Sequence, residues 1–123
     1  MSFSVRIFAY KGMRQIQQVL VKQFNSDSVF VLEEPYLWSQ ILVVNGATPV
    51  SSTPVSGAAD GGSQIIRIEV PDGQQIRYEI NPSGPSASNA RVAGNLSPRL
   101  SGFDNFQWGP GYSISLVDAA SFL

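Results

Sequence analysis

Apolar and polar residues alternate near the start of the chain. Every odd position from Phe3 to Ala9 is apolar, and residues such as Ser4 lie between them. A period of two is the signature of a β-strand whose two faces meet different surroundings. The pattern therefore predicts a strand over residues 3–10 that ends at Lys11-Gly12.

The next segment carries a different period. Ile16, Val19, Leu20 and Phe24 have the spacing that lines one side of a helix. The β-prone run "VLV" and the lack of a residue that could cap the start favour a strand or irregular structure instead. We predict a short helix near residues 13–24, with strand or irregular structure as the alternative.

Two further strands are predicted in "SVFVLEEP" and "YLWSQILVVNG". Pro35 marks a break between them because proline cannot donate to a strand ladder. Asn45-Gly46 is a turn signal. The segments 47–63 and 81–101 are rich in Ser, Pro, Gly and other small residues, so both are predicted to be long surface loops.

The clearest pattern is "IIRIEVPDGQQIRYEI", which predicts a hairpin turning at Pro71-Asp72-Gly73. Turn chemistry favours a register that pairs Ile68 with Ile76, and opposite charges favour one that pairs Ile68 with Tyr78. We prefer the first register. Both registers place the same residues on one face: Ile66, Ile68, Val70, Ile76, Tyr78 and Ile80.

The chain closes with a predicted strand to Trp108, a turn at Gly109-Pro110-Gly111, a strand over Tyr112–Val117 and a short apolar tail. Several short strands separated by turn signals are typical of an all-β fold. We predict a single domain over residues 1–123, folded as an antiparallel β-sandwich or a jelly-roll-like barrel.

Composition narrows the function. The chain contains no His and no Cys, so the usual general base, thiol nucleophile and zinc ligands are missing. A net charge of −1 provides no field that attracts nucleic acid or anionic membranes. Asp60 and Asp104 lack the spacing of a calcium loop, although a cation shared between subunits stays open. We expect a non-enzymatic protein without a cofactor, metal site or small-molecule substrate.

The sequence also shows no signal for targeting or membrane insertion. The start "MSFSVRIFAYKG" lacks the features of a signal peptide, and no segment reaches the ~20 apolar residues that span a bilayer. We therefore predict no targeting segment and no membrane partner.

Four residues are candidates for binding a partner protein. Arg91 and Arg99 fall in the second predicted loop, and arginine is favoured in protein interfaces because of its planar guanidinium. Phe122 and Leu123 form an apolar terminus that would dock on this domain or on a neighbour.

Three segments, "FVLEEPYLWSQ", "IEVPDGQQIRYEINP" and "WGPGYSISLVDAASF", together resemble the small virion proteins of tailed bacteriophages that are made alongside the major capsid protein. The resemblance implies a capsid cement or decoration protein, made in the host cytoplasm and carried on the outside of the virion. It implies that the major capsid protein is the partner, that the chain forms a homotrimer and that it has no catalytic residues.

Two other functions are alternatives to this reading. The first is another structural part of the virion, such as a head–tail adaptor or a tail component. The second is a carbohydrate-binding module, in which Tyr36, Trp38, Trp108 and Tyr112 would form an aromatic platform.

Overall fold

The computed structural model describes residues 2–17, 28–32, 35–55, 64–82, 85–108 and 111–121. These residues form ten strands, one α-helix and one 3₁₀ turn. In chain order the elements are β1 (Ser2–Tyr10), β2 (Met13–Gln17), β3 (Ser28–Leu32), β4 (Trp38–Asn45), β5 (Val50–Ser51), β6 (Gln64–Glu69), β7 (Ile76–Asn81), α1 (Pro85–Ala93), β8 (Arg99–Leu100), β9 (Phe103–Trp108), β10 (Ser113–Asp118) and the 3₁₀ turn (Ala119–Ser121).

Eight of the strands form two four-stranded sheets, in which every pairing is antiparallel. The front sheet has the order β4-β1-β6-β9, and the back sheet has the order β5-β10-β7-β8. Within the described residues the two sheets do not pair with each other, which matches a sandwich better than a closed barrel. The all-β fold class predicted from the sequence is confirmed.

The inner faces of the two sheets share one hydrophobic core. Alternation along β1 is confirmed, since Val5, Ile7 and Ala9 are fully buried. Full burial of an aliphatic side chain contributes about 1.5–3 kcal/mol each, and the chain has no disulfide to supplement it. The core residues of the front sheet and those of the back sheet meet in a single cluster: Val5, Ile7, Ala9, Leu42, Val44, Val55, Ile66, Ile68, Val70, Ile76, Ile114 and Leu116.

The predicted hairpin between Ile65 and Ile80 is wrong. Its turn exists, with Gln74 N donating to Pro71 O at 3.1 Å. However, β6 pairs with β1 and β9, whereas β7 pairs with β10 and β8. The chain therefore crosses from the front sheet to the back sheet as an arch, and neither predicted register occurs.

The inward face predicted for this segment nevertheless holds. Ile66, Ile68 and Ile76 are fully buried, and Tyr78 and Ile80 pack against the core. An arch gives each strand two neighbours inside a sheet, whereas a lone two-stranded hairpin is marginal in water. The alternating apolar residues of β6 and β7 therefore face the shared core from two different sheets, and not from one hairpin.

A two-stranded ribbon replaces the start of the predicted helix near residues 13–24. Strand β2 pairs with β3 from Met13 opposite Leu32 to Gln17 opposite Ser28. Pairing with a β-prone partner outweighs the helical spacing, because tertiary context overrides weak propensity. Residues 18–24 of the prediction lie outside the described residues. The strands predicted in "SVFVLEEP" and "YLWSQILVVNG" are confirmed as β3 and β4.

The two predicted loops contain regular structure. Segment 81–101 holds α1 and β8, and segment 47–63 holds β5, with residues 56–63 outside the described part. The helix begins at Pro85, whose fixed φ suits a first helical position. It ends in a Schellman motif, in which Asn95 has a φ of 62° and Leu96 N donates to Arg91 O at 3.0 Å.

The helix α1 packs on the outer face of the back sheet. Val92 of the helix is fully buried, as are Ser115 and Val117 of β10. Ser51 Oγ lies 2.7 Å from Asn89 Oδ1 and 2.9 Å from Ser115 Oγ, so a hydroxyl joins the helix to the sheet. The outer face of the back sheet is therefore covered, and small side chains permit the close approach.

The last two predicted strands are confirmed as β9 and β10. Gly109 and Pro110 of the predicted turn lie outside the described residues, as do Phe122 and Leu123 of the apolar tail.

Candidate interaction surface

The outer face of the front sheet has no helix over it in the described structure. We call this surface the open face; it consists of the side chains of β4, β1, β6 and β9 that point away from the core. Strand register aligns one row across all four strands: Ile41, Arg6, Glu69 and Phe103. Ile41 is 61% exposed, Phe103 is 59% exposed and Val43 of the next row is 55% exposed. Large apolar side chains at these exposures form a surface suited to contact with another macromolecule.

Aromatic residues extend the open face at one end. The ring of Tyr36 lies edge-on to Phe8, with centroids 5.3 Å apart, and 6.4 Å from Tyr10. Tyr36 is 48% exposed, and Leu37 beside it is also exposed. Edge-to-face packing fixes the ring while one side stays accessible.

The charged groups of the open face are only partly paired. Arg67 Nε lies 2.8 Å from Glu69 Oε2, and the Arg67 guanidinium lies 4.0 Å from the centroid of the Phe103 ring. Arg67 is therefore held by an anion and an aromatic face at once. The side chain of Arg6, which lies opposite Ile41 and Glu69 in the register, makes no hydrogen bond or ion pair to another described residue. As far as the described part of the chain extends, its guanidinium is open to a partner.

The open face contains a depression beside Arg6. It has a volume of about 320 Å³ and is lined by Ser4, Arg6, Glu69, Val70 and Pro71. The lining combines the Arg6 guanidinium, the Glu69 carboxylate, the Ser4 hydroxyl and an apolar rim at the arch. This chemistry suits a polar or acidic side chain of a bound protein.

One titratable group inside the sandwich has a shifted pKa. The Tyr78 ring packs against Phe106 at 5.0 Å. Burial raises the pKa of Tyr78 above its ordinary value, and the nearby carboxylates of Asp104 and Glu79 raise it further. The hydroxyl therefore stays protonated at neutral pH.

The predicted partner-binding residues lie away from the open face. Arg91 Nε lies 2.6 Å from Glu79 Oε1, which ties α1 to β7. Arg99 is exposed on β8, opposite Arg77 in the back sheet, and its side chain makes no hydrogen bond or ion pair with another described residue. The structure thus places both arginines on the side of the molecule that carries α1.

The three described rings of the predicted sugar platform are not presented together. Trp38 and Tyr112 pack against the core, whereas Tyr36 is exposed beside Phe8. The side chain of Trp108 lies outside the described part.

Among the described residues, no group of three or more His, Cys, Asp or Glu side chains is placed to hold a metal ion. No helix in the described ranges is both long enough and apolar enough to cross a bilayer. Searches against protein-family models, curated proteins and solved structures each found no match to the chain.

Reasoning from the sequence missed Ile41, Val43, Phe103 and Arg6 as surface candidates. A signal was present in "ILVV" at residues 41–44, because four successive apolar residues on a strand must place two on each face. That signal indicates an apolar outer face, or an outer face that another layer covers.

Proposed function

We propose that this chain is a non-enzymatic structural protein of a bacteriophage virion, which binds the outer surface of the capsid and cements neighbouring major capsid protein subunits. The open face is the observation that carries the proposal. It presents Ile41, Val43 and Phe103 on one side of a sandwich, with the guanidinium of Arg6, which pairs with no described residue, between the two edges.

The asymmetry of the molecule supports a contact role. The outer face of the back sheet is occupied by α1, while the open face exposes Ile41 and Val43 on one edge strand and Phe103 on the other. Monomeric soluble proteins rarely expose wide apolar patches unless the patch serves an interaction. A surface of this kind fits a partner whose own surface is broad and flat, as the outside of a protein shell is.

Repetition would strengthen such a contact. A shell offers many equivalent sites, and copies that also touch one another bind with greater avidity than any single contact provides. The proposal therefore includes contacts between copies of this chain, as the homotrimers implied by the resemblance would have. It places the protein on the capsid exterior after synthesis in the host cytoplasm.

The test measures how tightly two variants of this protein bind capsid particles that lack it. Phe103→Lys replaces the exposed aromatic side chain at the β9 end of the open face with a charge, and we expect a loss in affinity of about tenfold or more. Leu96→Lys is the matched control, because Leu96 is 67% exposed next to α1 and away from the open face. Equal binding by the two variants, or particles that resist heat and low salt equally well without the chain, would contradict the proposal.

The location of the protein in an image of the particle separates the virion alternatives. Density spread over the shell supports a cement protein, whereas a ring at a single vertex indicates a head–tail component. Quenching of tryptophan fluorescence by sugars would favour a carbohydrate-binding module.

A further inference from the structure

The two sheets end in four edge strands, three of which are short or charged. Strands β5 and β8 have only two residues each. Strand β9 carries Asp104, opposite the buried Ile68. Short edges and charged edge residues prevent a sheet from pairing with other chains.

The fourth edge, β4, lacks both protections. It runs for eight residues, "WSQILVVN", without a charged side chain. In the described structure it forms a ladder only with β1, and its one other bridge joins Asn45 at its end to Thr48. Thr53 also contacts this strand through a side chain, since Gln40 Oε1 accepts from Thr53 N at 3.1 Å and from Thr53 Oγ1 at 3.2 Å. Ile41 and Val43 stand exposed along this edge.

We propose that β4 pairs in antiparallel fashion with β4 of a second copy of this chain, which joins two front sheets into one continuous sheet. A neutral edge with exposed β-branched residues fits a strand of the same character, and a second copy supplies that strand. Antiparallel pairing of identical strands creates a two-fold contact that closes on itself.

The alternation of β4 restricts the register. Residues that lie directly opposite each other in paired strands point to the same side of the sheet. The two-fold axis must therefore pass between a residue and the same residue of the second copy, and it cannot pass midway between two successive residues of one strand. An axis beside Leu42 places Ile41 opposite Val43 of the second copy, twice. An axis beside Ile41 would instead place Val43 opposite Ser39. Cross-strand pairs of β-branched residues are stabilising, so the register about Leu42 is favoured.

Charge agrees with the same register. Across the junction, one row of the open face reads Arg6, Ile41, then Val43 and Ser4 of the second copy. No charged side chain directly faces another charged side chain. About Ile41, the row would read Arg6, Ile41, then Ile41 and Arg6 of the second copy, with two free cations flanking one apolar pair. This two-fold contact is separate from any trimer contact.

The first experiment measures self-association of the isolated full chain by sedimentation over a wide range of concentration. Val43→Lys should weaken association about tenfold or more, because it places a charge on the edge. Phe103→Lys, on the same face but at the opposite edge, should leave association unchanged. The proposal is overturned if the wild-type chain remains monomeric at the highest concentration, or if both variants weaken association equally, as stacking through the open face would require.

The second experiment tests the register by disulfide cross-linking. The chain has no cysteine of its own, so only the introduced cysteines can form a disulfide. Ile41→Cys and Val43→Cys are mixed and oxidised, with Phe103→Cys as the control. The register about Leu42 predicts that the mixed pair cross-links faster than either variant alone. Equal rates in all three mixtures, or cross-linking of the control at the same rate, would refute it. Neither experiment involves a capsid, so each outcome is independent of the proposed function.

Discussion

Val70 and Ile76 are both buried in the same core, yet the strands they adjoin belong to different sheets. Five residues separate them, and these contain the Asp72-Gly73 turn of the arch. Val70 N also donates to Gly102 O at 2.7 Å, which ties the start of the arch to the chain before β9. The arch therefore fixes how the front sheet sits over the back sheet.

Gly73 should be the sensitive position of this arch. Its φ of 80° is in the left-handed region, and a Cβ added there meets no atom within 4 Å, so strain would come from the backbone alone. Gly73→Ala should lower the free energy of unfolding by about 1–2 kcal/mol in denaturant melts. Gly12→Ala is the control, because Gly12 has equal space and no positive φ. Equal effects would contradict the assigned turn.

The core of the sandwich should respond strongly to truncation. Leu116 is fully buried between the sheets. Leu116→Ala removes apolar contacts and leaves a cavity, so the free energy of unfolding should fall by about 2–5 kcal/mol. The same substitution at the exposed Leu96 should change it by less than about 0.5 kcal/mol. Calorimetry of both variants checks the difference, and a small loss at Leu116 would mean that the sheets do not share this core.

The hydroxyl of Ser51 should hold the helix on the back sheet. It joins Asn89 of α1 to Ser115 of β10. Ser51→Ala should destabilise the protein by about 1–2 kcal/mol, because polar atoms lose a partner under the helix. Hydrogen exchange should be faster in α1, while Ser101→Ala at an exposed position leaves it unchanged. Unchanged exchange in Ser51→Ala would show that packing alone retains the helix.

Stability should fall at alkaline pH through Tyr78. Its pKa in the folded protein is above the value near 10 of an unfolded chain, because of burial and then the charges of Asp104 and Glu79. Between the two pKa values the folded state keeps a proton that the unfolded state has lost, so rising pH favours unfolding. The contribution of Tyr78 to the free energy of unfolding is fully present below pH ~10 and declines above it. Tyr78→Phe should make this decline less steep in melts across that range; an identical decline would exclude Tyr78 as its source.

Strand positions and inward faces could be predicted from the sequence. The alternation from Phe3 to Ala9 identifies β1 and its buried side, and the alternation around Ile68 and Ile76 identifies the inward side of β6 and β7. A period of two records which residues avoid water. The period does not indicate which strands pair with each other.

Strand partners were therefore beyond the sequence pattern. The Asp72-Gly73 turn fits a hairpin and an arch equally, because both need the same backbone conformation at Gly73. Helix α1 was missed for a related reason. Its sequence "PSASNARVA" has no apolar stripe, since the helix rests on small polar side chains such as Ser51 and Ser115.

The open face could be predicted only in part. The run "ILVV" requires that Ile41 and Val43 point away from Leu42 and Val44. Whether another layer covers the outward pair depends on where α1 packs, and local sequence does not specify that. The sequence likewise does not show that Glu69, which lies opposite Arg6, pairs with Arg67.

The placement of α1 on one sheet alone gives the molecule an upper and a lower side. If the open face rests on a larger object, the helix and the turn at Gly94 and Asn95 are directed towards solvent. A short peptide inserted at that turn would be displayed outward on every copy, at a spacing set by the object beneath.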